Sequence, residues 1–275
     1  MKTQSIDHLT PMQKTLLITL RGREVDARWK RPILHDPLAT EIVDRLDYDT
    51  DSVQLPMGVR EAVAIRSRML DRAVAQFVRG HPDAVVVELG AGLETRRYRV
   101  DAPPTVDWYD VDFPEVTELR NSLLPHRDNV HAIGSSLVNP RWADAIPGDR
   151  PTIAVSDGVL GFLSEKDNRQ ILTTLTDHFT AGGELVFNAY TKFVARQNGR
   201  FTKIVGMPAD FTGYGIDDPQ DIVDLNPALT FVEELYGDAA PERDELNLAY
   251  RLLSRIFAAW PAQARRGVWI VRYRF

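Results

Sequence analysis

The chain has no cysteine among its 275 residues, which excludes disulfides, thiolate nucleophiles and Cys-ligated zinc. It has no apolar run approaching the roughly 18 residues a membrane-spanning helix needs. The start, MKTQSIDHLTPMQKT, has no uninterrupted apolar h-region, so no secretory signal is expected and the protein reads as cytoplasmic. It also lacks a basic excess: 33 Lys and Arg face 39 Asp and Glu, for a net charge of −6 and a pI near 5.6. Nucleic-acid binding draws much of its affinity from Lys and Arg neutralising phosphates, so this balance argues against such a partner. There is no internal repeat and no low-complexity stretch. Of the six histidines (His8, His35, His81, His126, His131 and His178), none stands at metal-ligand spacing from a second ligand. No metal is expected, and only His35, beside Asp36-Pro37, invites attention.

What is present is an alternation of periods. The chain to about residue 80 reads helical: TPMQKTLLITL follows a Thr-Pro start signal, and Arg60 to Val78 sets Ala62, Ile65, Met69, Ala73 and Phe77 on one stripe. Gly80-His81-Pro82-Asp83 then breaks the pattern. Ala84 to Leu89 is an apolar, β-branched run suited to a strand buried on both faces. Further strands are expected at Thr105–Val111, Val130–Ile133, Thr152–Val155 and Glu184–Ala189, with a helix over Lys166–Phe179. Late in the chain, Leu229–Leu235 and Val268–Tyr273 read as strands flanking a helix over Asn247–Trp260, which suits an antiparallel sheet edge. Strands alternating with helices imply right-handed crossovers and a mostly parallel, doubly wound α/β sheet. The glycine-dotted stretch from Tyr190 to Pro219 is expected to be a lid or binding loop.

In such a sheet, ligands bind at the carboxyl ends of strands where the strand order reverses. Gly90-Ala91-Gly92 stands at the end of the first core strand, where glycine permits a tight turn and close approach of a ligand. The dinucleotide fingerprint requires a third glycine, but the run is G-A-G-L-E-T, with Thr95 in its place. Twenty residues on, WYDVDFP offers Asp110 and Asp112, either of which could accept hydrogen bonds from an adenosine ribose.

At this point the residues resemble a known family. VVVELGAGLETRRYR, then WYDVDFPEVTELR, then SDGVLGFLSEKDNRQIL, is similar to the leucine carboxyl methyltransferases, in particular to the bacterial branch of tetracenomycin-type polyketide O-methyltransferases. TLLITLRGRE, RPILHDPLA and AIRSRMLDRAV extend the resemblance over most of the chain. It implies a class I methyltransferase sheet of seven strands, the last antiparallel, binding S-adenosyl-L-methionine. Residues 1–80 would form a helical extension roofing the active site, and 81–275 the cofactor-binding core of one compact domain. By the family's pattern, Gly90 and Gly92 would back the methionine part of the cofactor and Asp112 would hold the ribose. Arg66 would pair with the cofactor carboxylate, with Arg23 a second candidate for that anion. Ser136 and Leu137 would flank the adenine, and Asp157 would lie near the sulfonium and amino group. The chain departs from the pattern at Glu94, usually aspartate, at Ser136, usually aspartate, and at Asp157, usually glutamate.

Bottom-up, an arginine at position 66 of an apolar-striped helix would ordinarily snorkel at the surface. Methyl transfer from a sulfonium is an in-line displacement, in which alignment does most of the work. A carboxylate nucleophile, with a pKa near ~4, is already ionised at neutral pH, whereas a phenol near ~10 gains from a base. No His–Asp pair is evident and no general base is assigned, which favours a carboxylate on a small apolar acceptor. The aromatics Trp29, Phe193, Phe201, Phe211 and Tyr214 point the same way. The oligomeric state is left open. Two rival classes stand beside this reading. One is a nicotinamide oxidoreductase, opposed by G-A-G-L-E-T and by the lack of a Tyr-x-x-x-Lys pair; the other is a non-catalytic cofactor-binding module.

Overall fold

The computed structural model describes residues 4–55, 58–202, 213–242 and 260–275. Its centre is a seven-stranded sheet. β3 (Val85–Leu89), β4 (Asp107–Asp112), β5 (Val130–Gly134), β6 (Thr152–Ser156) and β7 (Gly183–Ala189) pair in parallel, in the order β5-β4-β3-β6-β7. β9 (Trp269–Arg274) runs antiparallel to β7 on one side and to β8 (Thr230–Tyr236) on the other. The last strand of the chain therefore lies inside the sheet, and β8 forms the edge where the antiparallel segment had been expected. β1 (Gln4–Ser5) and β2 (Leu46–Asp47) make a separate two-residue parallel pair.

Every residue of β3 and of β6 is buried, as their largely apolar runs require of strands covered on both faces. One face packs Val87, Leu89, Ala154 and Phe187 beneath α6 (Glu165–His178), whose N-cap Ser164 accepts from the Asp167 N–H at 3.1 Å. The other packs Val86, Trp108, Ile153 and Ile270 against α3 (Val59–Gly80). A boundary at residue 80 thus falls at the end of a helix whose inner stripe, Ala64, Leu70, Ala73, Val74 and Phe77, is part of the sheet's own core.

Earlier in the chain, Thr10 and Gln13 form a reciprocal capping box: the Gln13 N–H donates to Thr10 Oγ1 at 3.3 Å and the Thr10 N–H to Gln13 Oε1 at 2.8 Å. A 3₁₀ turn follows and leads into α1 (Leu16–Ala27), then α2 (Pro37–Arg45), capped by Asp36 with Pro37 in its first turn. These elements bury Leu17, Leu20 and Ile42 against Leu93 and against Val116 and Leu119 of α5 (Pro114–Leu123). One expectation shifts: the stretch from Tyr190 opens with a helix, α7 (Lys192–Thr202), instead of a loop throughout. After the glycine turn the chain makes a single helical turn, α4 (Arg96–Arg99). The helix expected over Asn247–Trp260 lies almost wholly outside the described residues. Among those described, no helix is long and apolar enough to cross a membrane.

Candidate active site

β3 pairs with β4 on one side and β6 on the other, so the chain reverses its direction of growth across the sheet between β3 and β6. A crevice must open outside their carboxyl ends. A cavity of about 580 Å³ lies there, and its lining includes Gly90, Gly92, Asp112, Ser136, Leu137 and Asp157, with Arg66 reaching in from α3. Seven of the eight predicted binding residues are therefore brought to one cavity.

The glycine turn has the conformation its sequence suggested. Gly90 and Gly92 adopt φ of +70° and +46°, a region that costs a side-chain-bearing residue roughly 1–2 kcal/mol. A Cβ at Gly90 would also come within 2.4 Å of Val159. The turn is held by Asp112, whose Oδ2 accepts from the Gly92 N–H at 2.7 Å while Oδ1 accepts from the Phe113 N–H at 2.7 Å. Each oxygen keeps a lone pair for a ligand. Burial raises the Asp112 carboxyl above its ordinary pKa, and those two N–H groups pull it back down. Asp110, the rival acid, points away: it is fully buried and paired with Arg97 and with Arg120 Nε at 2.9 Å. The structure thus separates two acids that the sequence left open.

Arg66 is not a snorkelling surface residue. Its Nε faces Asp157 Oδ1 at 2.5 Å, but without the angle of a hydrogen bond, so both atoms are buried and unsatisfied. Tyr190 Oη lies 3.4 Å from Arg66 Nη1, and Ser67 Oγ 3.4 Å from Asp157 Oδ2. Burial opposes the Arg66 charge, but Asp157, then Tyr190 and Glu94, outweigh it and raise its pKa. A buried cation beside a buried anion, each with an orphaned atom, fits a zwitterionic ligand group that would give each a counter-ion.

Arg23 is the exception. It does not line the cavity; it is buried below the glycine turn, donating to Asp36 Oδ2 at 2.7 Å, Thr95 Oγ1 at 3.0 Å and the Leu93 carbonyl at 2.7 Å. Its role as a ligand-anion partner is set aside on that geometry. It belongs to a charge network in which Arg96 meets Asp71 at 2.9 Å and Glu88 at 2.7 Å, and Arg99 meets Asp71 at 2.8 Å and Glu94 at 2.7 Å. Glu94, where the chain departs from the family's aspartate, sits within this network: burial works against its charge, but Arg99, Arg23 and Arg96 hold it ionised, with a pKa well below the usual range.

Among the lining residues that escaped the sequence reading are Asn188, Tyr190 and Glu88. Asn188 and Tyr190 sit at the carboxyl end of β7, the place the sheet rule singles out, and Asn188 Oδ1 accepts from the Gly158 N–H at 2.5 Å. Glu88, at the end of β3, has its carboxyl pushed up to about 7, by burial first, with Arg96 opposing and Glu94 adding. The expected aromatic lining is corrected. Trp29 packs under Arg60, Phe193 is an exposed residue of α7, Tyr214 packs on the sheet core, and Phe201 and Phe211 lie outside the described side chains. The apolar wall is instead made by Leu16, Val59, Val63, Phe162 and Leu163. No histidine lines the cavity, and the described residues hold no metal-binding cluster.

Numbered from β3, the strand order is 3-2-1-4-5-7-6 with the seventh reversed, and with a glycine turn and a strand-end acid at its crevice this is the class I methyltransferase arrangement. Residues 15–176 match the family model described as leucine carboxyl methyltransferase. Over 266 residues the chain is 36% identical to the tetracenomycin polyketide synthesis O-methyltransferase TcmP of Streptomyces glaucescens, covering 90% of this chain and 98% of that one. It is 28% identical to the S-adenosyl-L-methionine-dependent methyltransferase dpfgK of Gibberella zeae, covering 83% of each. Among solved structures, a DUF574 family protein from Streptomyces avermitilis superimposes with a TM-score of 0.58 at 16% identity, over 93% of this chain and 96% of that one. The chain belongs to the leucine carboxyl methyltransferase family, and it is an S-adenosylmethionine-dependent methyltransferase.

Proposed function

We propose that the protein transfers a methyl group to an oxygen of a small, largely apolar metabolite, with a carboxylate preferred over a phenol. The observation that carries the reading is a single cavity with two different walls: a polar one built on the glycine turn, Asp112 and the Arg66–Asp157 pair, and an apolar one built from α1, the start of α3 and the segment after β6. The first suits the cofactor and the second an acceptor. On this reading Asp112 accepts from the ribose hydroxyls, Ser136 and Leu137 flank the adenine, and Gly90 and Gly92 let the backbone approach the methionine chain. Arg66 and Asp157 exchange their mutual contact for the carboxylate and ammonium of that chain. The similarity to TcmP, an O-methyltransferase, supports oxygen as the acceptor atom.

When bound, the cofactor supplies a methyl on a positively charged sulfur, and transfer forms an O–C bond as the S–C bond breaks, with the electron pair left on sulfur. The chain's part is alignment and exclusion of water, worth several kcal/mol when the reacting atoms are held in line. Leu16, Val59 and Val63 close the cavity from the roof side. No lining histidine is in place to take a proton from a phenol, whereas a carboxylate has no proton to lose. The negative net charge disfavours nucleic acid as acceptor.

Calorimetry with S-adenosylmethionine, followed by turnover with labelled donor on a panel of aromatic acids and phenols, tests both levels. Esters are released by mild base and ethers are not, so the product class is read directly. Ethers from phenols with acids untouched would overturn the carboxylate preference. No donor binding would overturn the function altogether.

A further inference from the structure

Arg265 and Arg266 are neighbours with opposite fates. Arg265 is consumed by the fold: its Nε and Nη2 donate to Glu234 at 3.0 and 2.9 Å, and its Nη1 to the Asp217 carbonyl at 2.5 Å. Arg266 turns the other way and lines the cavity beside Gly267, Val268 and Trp269. Its guanidinium lies over the ring of Phe193 of α7, 5.0 Å from the centroid. A guanidinium resting on an aromatic face is oriented by it, while the N–H groups around its edge stay available.

The other charged groups in the cavity wall are already engaged. Arg66 faces Asp157, Glu88 and Glu94 are held by arginines, Asp112 is held by backbone N–H groups, and Asp167 caps α6 with Ser164. Among the described residues, Arg266 is the cavity-lining cation without an acidic partner. It also stands apart from the proposed cofactor wall: it enters from the lead-in to β9, which pairs with β7 through Trp269 and Ala189.

We propose that Arg266 is a specificity-determining residue that receives an anionic group of the acceptor, with Phe193 beneath it as an apolar platform, so that the acceptor class is an aromatic or alicyclic acid bound as its anion. This rests on the reading of the cavity as a methyl-transfer site and adds to it the residue that would hold the acceptor's anion. Water screens an exposed guanidinium, so its attraction for a free anion is small. An acceptor seated on the apolar wall displaces that water, and a charge-assisted hydrogen bond to a carboxylate then strengthens.

The test measures binding of 2-naphthoate and of the neutral 2-naphthalenemethanol to the full chain saturated with S-adenosylhomocysteine. Wild type should bind the anion roughly ten- to a hundredfold tighter than the alcohol. Arg266→Gln should abolish that preference and leave alcohol binding unchanged, and Arg266→Lys should retain part of it. S-adenosylhomocysteine affinity should be the same in all three proteins. In turnover of an accepted acid, Arg266→Gln should raise KM with little change in kcat. A wild type that does not prefer the anion, binding of neither ligand included, overturns the proposal. Equal losses for both ligands in Arg266→Gln also overturn it, since they would make Arg266 a packing residue. Failure of the underlying reading shows separately, as absence of S-adenosylhomocysteine binding in wild type.

Discussion

Asp110 and Asp112 stand two positions apart on β4, but Asp110 is paired with buried arginines and Asp112 with the backbone of the glycine turn, so substitution should separate their functions cleanly. Asp112→Ala should weaken S-adenosylmethionine binding by about 2–3 kcal/mol through lost charge-assisted hydrogen bonds, measured by calorimetry. Some of that loss belongs to the glycine turn, because the Gly92 N–H would lose its acceptor at 2.7 Å. Asp112→Asn keeps an acceptor for that N–H and should recover part of the affinity. Asp110→Ala should act on the fold: it strands Arg97 and Arg120, both buried, at a cost of about 3–5 kcal/mol. Cofactor affinity lost in Asp110→Ala at full stability, with Asp112→Ala unaffected, would reverse the assignment.

At the scale of elements, the N-terminal helices are joined to the sheet by buried charge as well as apolar packing. Arg23 of α1 meets Asp36 at the cap of α2, Arg99 of α4 also reaches Asp36, and Asp71 of α3 holds both Arg96 and Arg99. Deleting residues 1–25 would remove Arg23, Leu17 and Leu20 together, exposing Leu93 and Val116 and leaving Asp36 without its α1 partner. Turnover should be abolished, because Leu16 leaves the cavity wall. The parallel strands should still form, since they begin at Val85 and have their own helix, α3, to pack against, but the melting temperature should fall by several degrees. A truncated chain that keeps full activity would refute the roof. The sheet was legible because β3 and β6 are short runs rich in apolar and β-branched residues, and burial on both faces writes that signature directly into sequence. The burial of α4 was not, because Arg96 and Arg97 look solvated in a list of residues, and only the fold shows them buried among acids. The position of β9 between β7 and β8 was also out of reach, since period and length give a strand's existence but not its neighbours. The cavity residues along β3 and β4 could be read from local spacing. The rest of the lining comes from α1, α3, β7, the segment after β6 and the approach to β9, which no local pattern links.

For the whole molecule, the pH profile joins the site's chemistry to its electrostatics. With a carboxylic acid surrogate and saturating donor, the rate should be flat from about pH 6 to 9, because the nucleophile is ionised throughout. Donor affinity should not be flat. Glu88 lines the cavity and burial pushes its carboxyl up to about 7, so its negative charge should grow as pH rises through neutrality. Its added negative charge attracts a cationic sulfonium, so kcat/KM for the donor should rise through pH 7 while kcat does not. Stability moves the opposite way. A carboxyl whose folded pKa lies above its ordinary 4.5 favours the protonated fold, so its contribution is complete below 4.5 and is lost as pH climbs through about 7. Glu94 has the reverse sign: its pKa is held low, so its contribution is present above 4.5 and lost in acid. Kinetics at saturating and limiting donor, together with thermal melts across the same range, separate the two effects. Glu88→Gln should remove the rise in donor kcat/KM while leaving the saturated rate flat. A saturated rate that climbs steeply to pH 9 would show a nucleophile losing a proton, and the preferred acceptor would then be a phenol.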